Sequence, residues 1–427
     1  MSGNRPTRDR TRTQRTGSHT NPASAPDTRP RIAIITRSID RSGTSGSGHH
    51  LREMIRHLLP QADDLDIHLA HYQDSEEEIY RWAPELKLPA NPVRAAAVLN
   101  RGEFDVVHFS PLTIVSPIHG LRAAKVATIH SAEPMLLPEA YSWIKRVHSR
   151  YVIPHYARRL DALVTVSETS KAWFAEHYRV PAEQIHVTYN ACAPAYRVLS
   201  REERATPHPE DPAIPGPYIV HVSRFSERKN PWTMLEAFAR LIERRAHKAT
   251  EDRSSGPGQD RSEAAASAAS GPPTSGPLTL VLAGKGWDGA AVWERARALG
   301  ISDRLVTPGF VSEETVVRLL NGAELFWFPS LSEGFGMPNV EAMRCGCPVV
   351  TTAVFAIPEI VGDAAVVLDD PHDAHALADA SDEIINDRSR REALIRAGLE
   401  WSERYSWEGS ARILANVYRR LTGVPER

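Results

Sequence analysis

The chain has 427 residues, more than one hydrophobic core ordinarily serves, so two domains are expected. Apolar residues at 41% and charged residues at 24% describe a soluble globular protein, and a formal net charge of −2 gives no footprint for nucleic acid. No apolar run approaches the ~18 residues of a membrane span, and three cysteines, Cys192, Cys345 and Cys347, make neither a disulfide framework nor a structural zinc site, which fits a reducing cytoplasm.

Residues 1–30 are rich in Arg, Thr, Ser and Pro, lack the hydrophobic core of a signal peptide, and are expected to be a disordered tail. Order is expected from Arg31-Ile-Ala-Ile-Ile-Thr36, a continuous apolar strand of the kind buried in a parallel sheet. A glycine-bearing loop over residues 41–48 follows, with Gly43, Gly46 and Gly48, and then a helix over 49–59. Strand, glycine loop and helix open the first binding crevice of an α/β sheet, although these glycines do not match G-x-G-x-x-G. Further strands are predicted over 66–71, 105–110, 125–130 and 162–167, separated by helical segments such as 141–159, where Pro154 should introduce a kink. This alternation argues for a doubly wound parallel sheet, whose ligands sit beyond the carboxyl ends of the strands. His130 stands at one such end. Asp64-Leu-Asp66 has a D-x-D spacing but precedes its strand, and is read as solvated loop charge.

Residues 200–217 are charged and proline-rich, the composition of an interdomain linker. A second α/β unit opens with Tyr218-Ile-Val-His-Val-Ser-Arg224, followed by a loop carrying Lys229 and a helix over 231–246. Arg224 and Lys229 at a strand end would together offset a diphosphate without a metal, one as a fork and one as a point charge. Residues 249–277 turn to Ser, Gly, Ala and Pro, a low-complexity insertion. The run Gly284 to Gly289 matches G-x-G-x-x-G, but the next strand, over 304–308, ends without an acidic residue to hold a ribose. Ser312 reads as the N-cap of a helix over 313–320.

The chain is organised around Leu331-Ser-Glu-Gly-Phe-Gly-Met-Pro-Asn-Val-Glu-Ala-Met343. Gly334 and Gly336 permit close backbone approach, and Pro338 suits the first turn of a helix whose bare N–H groups face an anion. Glu333 lies in the loop, suited to neutral hydroxyls near that anion, and Glu341 lies one turn into the helix. A buried strand over 348–352 and a turn over 358–363 follow, and the chain closes on a helix over 401–421 whose aromatics suggest packing across domains.

Ser223-Arg-x4-Lys229, Gly309-Phe-Val311, Phe328-Pro-Ser330, Glu333-x7-Glu341 and Ile357-Pro-Glu-Ile360 occur in the order and rough spacing of the retaining glycosyltransferases of family 4, which have the GT-B fold. The resemblance spans about residues 31–421, apart from the insertion. It implies two Rossmann-like doubly wound parallel-sheet domains facing a cleft, over 31–199 and 218–400, with a C-terminal helix over 401–427 crossing back. It also implies that Arg224 and Lys229 bind a diphosphate and that Glu341 holds ribose hydroxyls. Glu333 and the backbone of Gly334, Phe335, Gly336 and Met337 would hold the donor sugar, and Phe310 and Val311 would meet the base. His130 would lie beside that sugar, followed here by Ser131 where the most similar subgroup has aspartate. Gly46 and Gly48 would approach the phosphates or the acceptor.

The expected activity is therefore transfer of a hexose from a UDP- or GDP-sugar to a glycan, lipid-linked glycan or small metabolite, with retention and without a metal or other cofactor. Nucleic acid is not an expected partner, and basic surface permits peripheral attachment to a membrane. The alternative is a catalytically silent nucleotide-sugar-binding protein of the same fold.

Overall fold

The computed structural model describes residues 28–41, 46–73, 77–254 and 276–427. Gly43, most of the tail and the middle of the insertion lie outside the described residues. The strands are β1 (Arg31–Ile35), β2 (Asp66–His71), β3 (Glu85–Lys87), β4 (Val106–Phe109), β5 (Ala124–Thr128), β6 (Ala162–Thr165) and β7 (Ile185–Val187), then β8 (Tyr218–Val222), β9 (Thr279–Ala283), β10 (Leu305–Gly309), β11 (Leu325–Phe328), β12 (Val349–Thr352) and β13 (Val366–Leu368). They form two sheets, ordered β3-β2-β1-β4-β5-β6-β7 and β10-β9-β8-β11-β12-β13. The central pairings are parallel, with Ile34 opposite both Leu69 and His108 in the first sheet and Ile219 opposite both Leu280 and Leu325 in the second.

Strands such as Val106–Phe109 and Leu325–Phe328 are buried at every position, because helices cover both faces of each sheet. The strand order reverses beside β1 in one sheet and beside β8 in the other, and the carboxyl ends at such a reversal form a crevice. Every predicted strand is present; β3 and β7, three residues each, carry too short an apolar pattern to be read from the sequence.

Four segments differ from expectation. The helix expected from residue 49 starts at Gly46, so Gly46 and Gly48 belong to the first turn of Gly46–Leu58 rather than to a loop. The segment around Pro154 is a helical rod, Trp143–Ala157, in which a π-helical stretch His148–Val152 precedes the proline and absorbs the missing N–H. Residues 357–361 form a short helix where a turn was expected. The final helix is two: Arg388–Ser402 ends, and Ser406 caps a new helix, Trp407–Thr422, by accepting a hydrogen bond from the Gly409 amide.

That break separates the aromatics. Trp401 and Tyr405 each donate to the Ile360 carbonyl on the second unit, at 2.8 Å. Trp407, Leu414 and Tyr418 instead enter the first unit's core with Leu51, Ile55 and Val106. The returning helix is fastened by Arg419, 1% exposed, which grips both oxygens of Asp64 at 2.8 and 2.9 Å and donates to the Gln61 carbonyl. Asp64 is therefore a structural anchor, not solvated charge, and Asp66 is taken by Arg31 and His68. The proline-rich stretch is held likewise, since Arg318 binds Asp211 and the carbonyls of Glu203 and Thr206.

The two units meet through a small apolar cluster of Val166, Phe335, Val340, Ala356 and Ile360. Beside it, Glu359 of the second unit accepts hydrogen bonds from the Glu168 and Thr169 amides, the Thr169 hydroxyl and the Tyr189 hydroxyl, at 2.6–2.9 Å. A carboxylate thus caps the N-terminus of the partner unit's helix Glu168–Tyr178, where its charge is favoured.

Candidate active site

The loop between β11 and the helix Met337–Arg344 lies at the interface between the units. Its two glycines are required by neighbouring protein atoms. A Cβ on Gly334 would stand 2.3 Å from the His130 carbonyl oxygen and 2.7 Å from the Ser131 Cβ, so the loops of the two units touch backbone to backbone. Gly336 has φ +84°, and a Cβ there would meet the Ile357 side chain at 2.5 Å. Phe335 and Met337 turn into the apolar cluster between the units, Phe335 being 3% exposed. Their side chains serve packing and leave only backbone to a ligand.

Glu333 is the centre of a charge cluster. Its Oε1 accepts from Lys229 Nζ and Arg228 Nη1, both at 2.5 Å, and from the Ser330 hydroxyl at 2.6 Å. Lys229 and Glu333 are both 8% exposed. Burial works against the carboxylate, but the charges of Lys229 and Arg228 outweigh it and hold Glu333 below the usual glutamate range. The Lys229 ammonium, 4.4 Å from the centre of the Phe328 ring, is pulled by burial below the ordinary lysine value against the attraction of Glu333.

Lys229 and Glu333, assigned separate tasks in the sequence reading, thus form one pair, and Arg228 joins them. Arg228 also reaches across the cleft: its Nη1 lies 3.5 Å from Glu133 of the first unit, whose other oxygen accepts from Tyr141 at 2.7 Å. Arg228, Glu133 and Tyr141 escaped the sequence reading. The signal available for Arg228 was its place beside Lys229; nothing local marks Glu133 or Tyr141.

On the first unit, His130 follows β5. Its Nε2 is shielded from solvent and has no hydrogen-bond partner among the described residues. The His50 ring stands edge-on to it, centroids 4.6 Å apart, and His50 Nδ1 is 2.6 Å from the Asn190 Oδ1. Burial lowers His50 to about 4 and His130 well below the usual histidine value, so both rings are neutral near pH 7. The helix that begins at Gly46 positions His50, and Gly46 itself has open space where a Cβ would project.

A cavity of about 210 Å³ opens at the carboxyl ends of β8, β9 and β10, lined by Arg224, Gly284, Lys285, Phe310 and Val311 among others. Gly284 is obligatory here: with φ +127°, its Cβ would overlap the Ser223 carbonyl at 1.9 Å. Gly284 to Gly289 therefore serves loop packing, with Trp287 donating to the same carbonyl at 2.7 Å. Phe310 is 64% exposed at the cavity rim, with the Lys285 ammonium 5.2 Å from its ring centre. Arg224 is exposed, whereas Lys229 is buried against Glu333.

Residues 44–196 match the family description "Glycosyltransferase Family 4", and residues 259–401 match "Glycosyl transferases group 1". The chain belongs to the family 4 glycosyltransferases with the GT-B fold. It is 29% identical over 307 residues to O-antigen chain mannosyltransferase B of Escherichia coli, covering 71% of this chain and 72% of that enzyme. It is 28% identical to the MMP alpha-(1->4)-mannosyltransferase of Mycolicibacterium hassiacum, over 68% of this chain and 64% of that one. Among solved structures it is similar to Anabaena HepE in complex with UDP-glucose, with TM-score 0.66 and 18% identity, over 91% of this chain and 99% of that one.

The second carboxylate of this glycosyltransferase is unlike the first. Glu341 is half-buried on its helix, and burial, with the charge of Glu313 nearby, pushes its pKa to about 8. Among the described residues no cation forms an ion pair with it. Its carboxyl is poised to accept hydrogen bonds from neutral hydroxyls, which would favour the ionised form. Among the described residues, no group of three His, Cys, Asp or Glu side chains is placed to hold a metal ion.

Proposed function

We propose that this glycosyltransferase moves a hexose from a UDP- or GDP-sugar to a hydroxyl of a carbohydrate or lipid-linked acceptor, with retention and without a metal. The observation that carries the reading is the Arg228–Lys229–Glu333 cluster beside the Arg224-lined cavity, faced by neutral His130 across the cleft. The nucleoside would lie in the cavity against Phe310 and Val311, with its ribose hydroxyls on Glu341. The diphosphate would lie between Arg224 and Lys229. Two relatives are named mannosyltransferases and a structural neighbour holds UDP-glucose, which supports a hexose and leaves both bases in play.

As the sugar–phosphate bond breaks, negative charge grows on the leaving diphosphate. Lys229, already fixed on Glu333, would stabilise that charge without reorganisation, and Arg224 at the cavity would add a second cation. The acceptor oxygen would attack from the face the phosphate leaves, and the departing phosphate oxygen would take its proton. Glu333 is held by two cations and a hydroxyl on one side of the site, which suits it to position a sugar hydroxyl and orient Lys229, not to act as a nucleophile. His130 Nε2, neutral and unpartnered, is available to a donor sugar hydroxyl.

A thermal-shift screen against UDP-, GDP- and ADP-hexoses, followed by NMR of the product anomer in EDTA-containing buffer, tests the proposal. The expected outcome is stabilisation by a UDP- or GDP-hexose and a product with the donor's anomeric configuration. Inversion, or activity only with added metal, would overturn the mechanism, and absence of any shift would overturn the donor class.

A further inference from the structure

The helical segment Trp143–Ala157 meets the site through Tyr141 and by packing on the short helix Glu133–Leu136, and its outer face is otherwise unexplained. Tyr141, just before it, binds Glu133, which faces Arg228. The rod's second half is anchored, with Ile153, Pro154 and Ala157 buried. Its first half projects: every residue from Ser142 to Val147 is exposed. Trp143 is 66% exposed, Ile144 61%, Val147 46% and Tyr151 63%. At roughly 100° per residue Trp143, Ile144 and Val147 lie within about a quarter of the circumference, and Tyr151 follows about one turn further along the π-helical stretch.

The charge around this stripe is one-sided. Residues 140–160 contain Lys145, Arg146, Arg150, Arg158 and Arg159 and no Asp or Glu, in a chain whose net charge is −2. Among the described residues no ion pair involves Lys145, Arg146 or Arg150; Lys145 and Arg150 lie instead beside the Tyr141 and Tyr151 rings, at 5.5 and 5.9 Å. No helix of the described residues is long and apolar enough to cross a membrane. A folded protein partner would cover one side of a helix exposed all round. The interfacial zone of a bilayer surrounds it, taking Trp, Tyr and aliphatic side chains inward while Lys and Arg meet anionic headgroups.

We propose that residues 141–152 dock this glycosyltransferase onto an anionic lipid surface, with Trp143, Ile144, Val147 and Tyr151 entering the interface and Lys145, Arg146 and Arg150 binding headgroups. Docking there sets the Glu133–Arg228 side of the cleft against the bilayer. The surface is independent of which donor or acceptor the site takes.

The test is flotation of the full chain with vesicles of phosphatidylglycerol and phosphatidylcholine in equal parts, against phosphatidylcholine alone. The unmodified chain floats with the anionic vesicles, is released by high salt, and ignores the neutral ones. Trp143→Ser with Ile144→Ser and Tyr151→Ser abolishes flotation while leaving the melting temperature unchanged, since all three side chains are exposed. Lys145→Gln with Arg146→Gln weakens it about twenty-five-fold, about fivefold per cation. The proposal is overturned if the unmodified chain fails to float, or if either variant folds and floats as well as the parent. It is also overturned if light scattering shows a dimer that the triple variant dissociates.

Discussion

Two carboxylates eight residues apart live in opposite environments. Lys229 and Arg228 outweigh burial and hold Glu333 below the usual glutamate range; Glu341 is half-buried beside Glu313, and burial pushes it up to about 8. If Glu341 receives ribose hydroxyls, the ionised form binds better, so nucleotide affinity rises with pH between about 7 and 9 and Glu341→Gln flattens the profile, as calorimetric titration will show. The linkage with folding has the opposite direction. Between the ordinary glutamate value of 4.5 and about 8 the folded chain keeps a proton that the unfolded chain has lost, so this group makes stability fall as pH rises toward 8. If Lys229 faces the leaving diphosphate, Lys229→Ala removes a fixed charge from it and should lower the transfer rate by roughly 10²–10³-fold. Initial rates at saturating donor, beside a melting curve that shows the variant folded, check this.

At the scale of elements, the contact between the 331–336 loop and the 129–131 loop brings residues of the two units together. Gly334→Ala would drive a Cβ into the His130 carbonyl, and backbone cannot yield as a flexible side chain would. The variant should lose about 1–3 kcal/mol in urea unfolding and most of its activity. Preserved activity with unchanged stability would show that the loops are free to separate. The parallel strands were legible in the sequence because residues such as Val106–Phe109 and Leu325–Phe328 are apolar without interruption, the mark of strands covered on both faces. The glycines of the 331–343 stretch were legible as points of close approach, but not what approaches them, because Ser131 and Ile357 are brought there only by the fold. Arg228 was missed for the same reason: Glu133 lies 95 positions earlier, and no local pattern connects the two. The break at Ser406 was hidden by aromatics on both sides of it, which extend one apolar pattern across two helices that face different cores.

At the scale of the whole molecule, the two units are joined by the Glu359 carboxylate, the cluster around Phe335, the Arg228–Glu133 pair, the close packing of Gly334 on His130 and Ser131, and the helix Trp407–Thr422. Arg419→Ala strips the part-buried Asp64 of its bidentate partner and leaves only Arg427, at 3.8 Å, so a loss of about 1–3 kcal/mol is expected. Hydrogen exchange should quicken in both Gly46–Leu58 and Trp407–Thr422, since those helices pack on each other. Faster exchange confined to the final helix would show that the first unit's core stands without it.

The returning helix also sets a schedule for synthesis. Residues 31–199 leave the ribosome long before Trp407 does, with the seam of Leu51, Ile55, Leu58 and Val106 still uncovered. The two units therefore cannot mature as independent beads on a string: the earlier one waits, apolar face open, for a closing element that begins more than 300 positions beyond that seam. Such long-range closure is slow and leaves time for wrong partners. The nascent first unit is thus a natural client for chaperones, and the last turns of the chain are the step that ends its exposure.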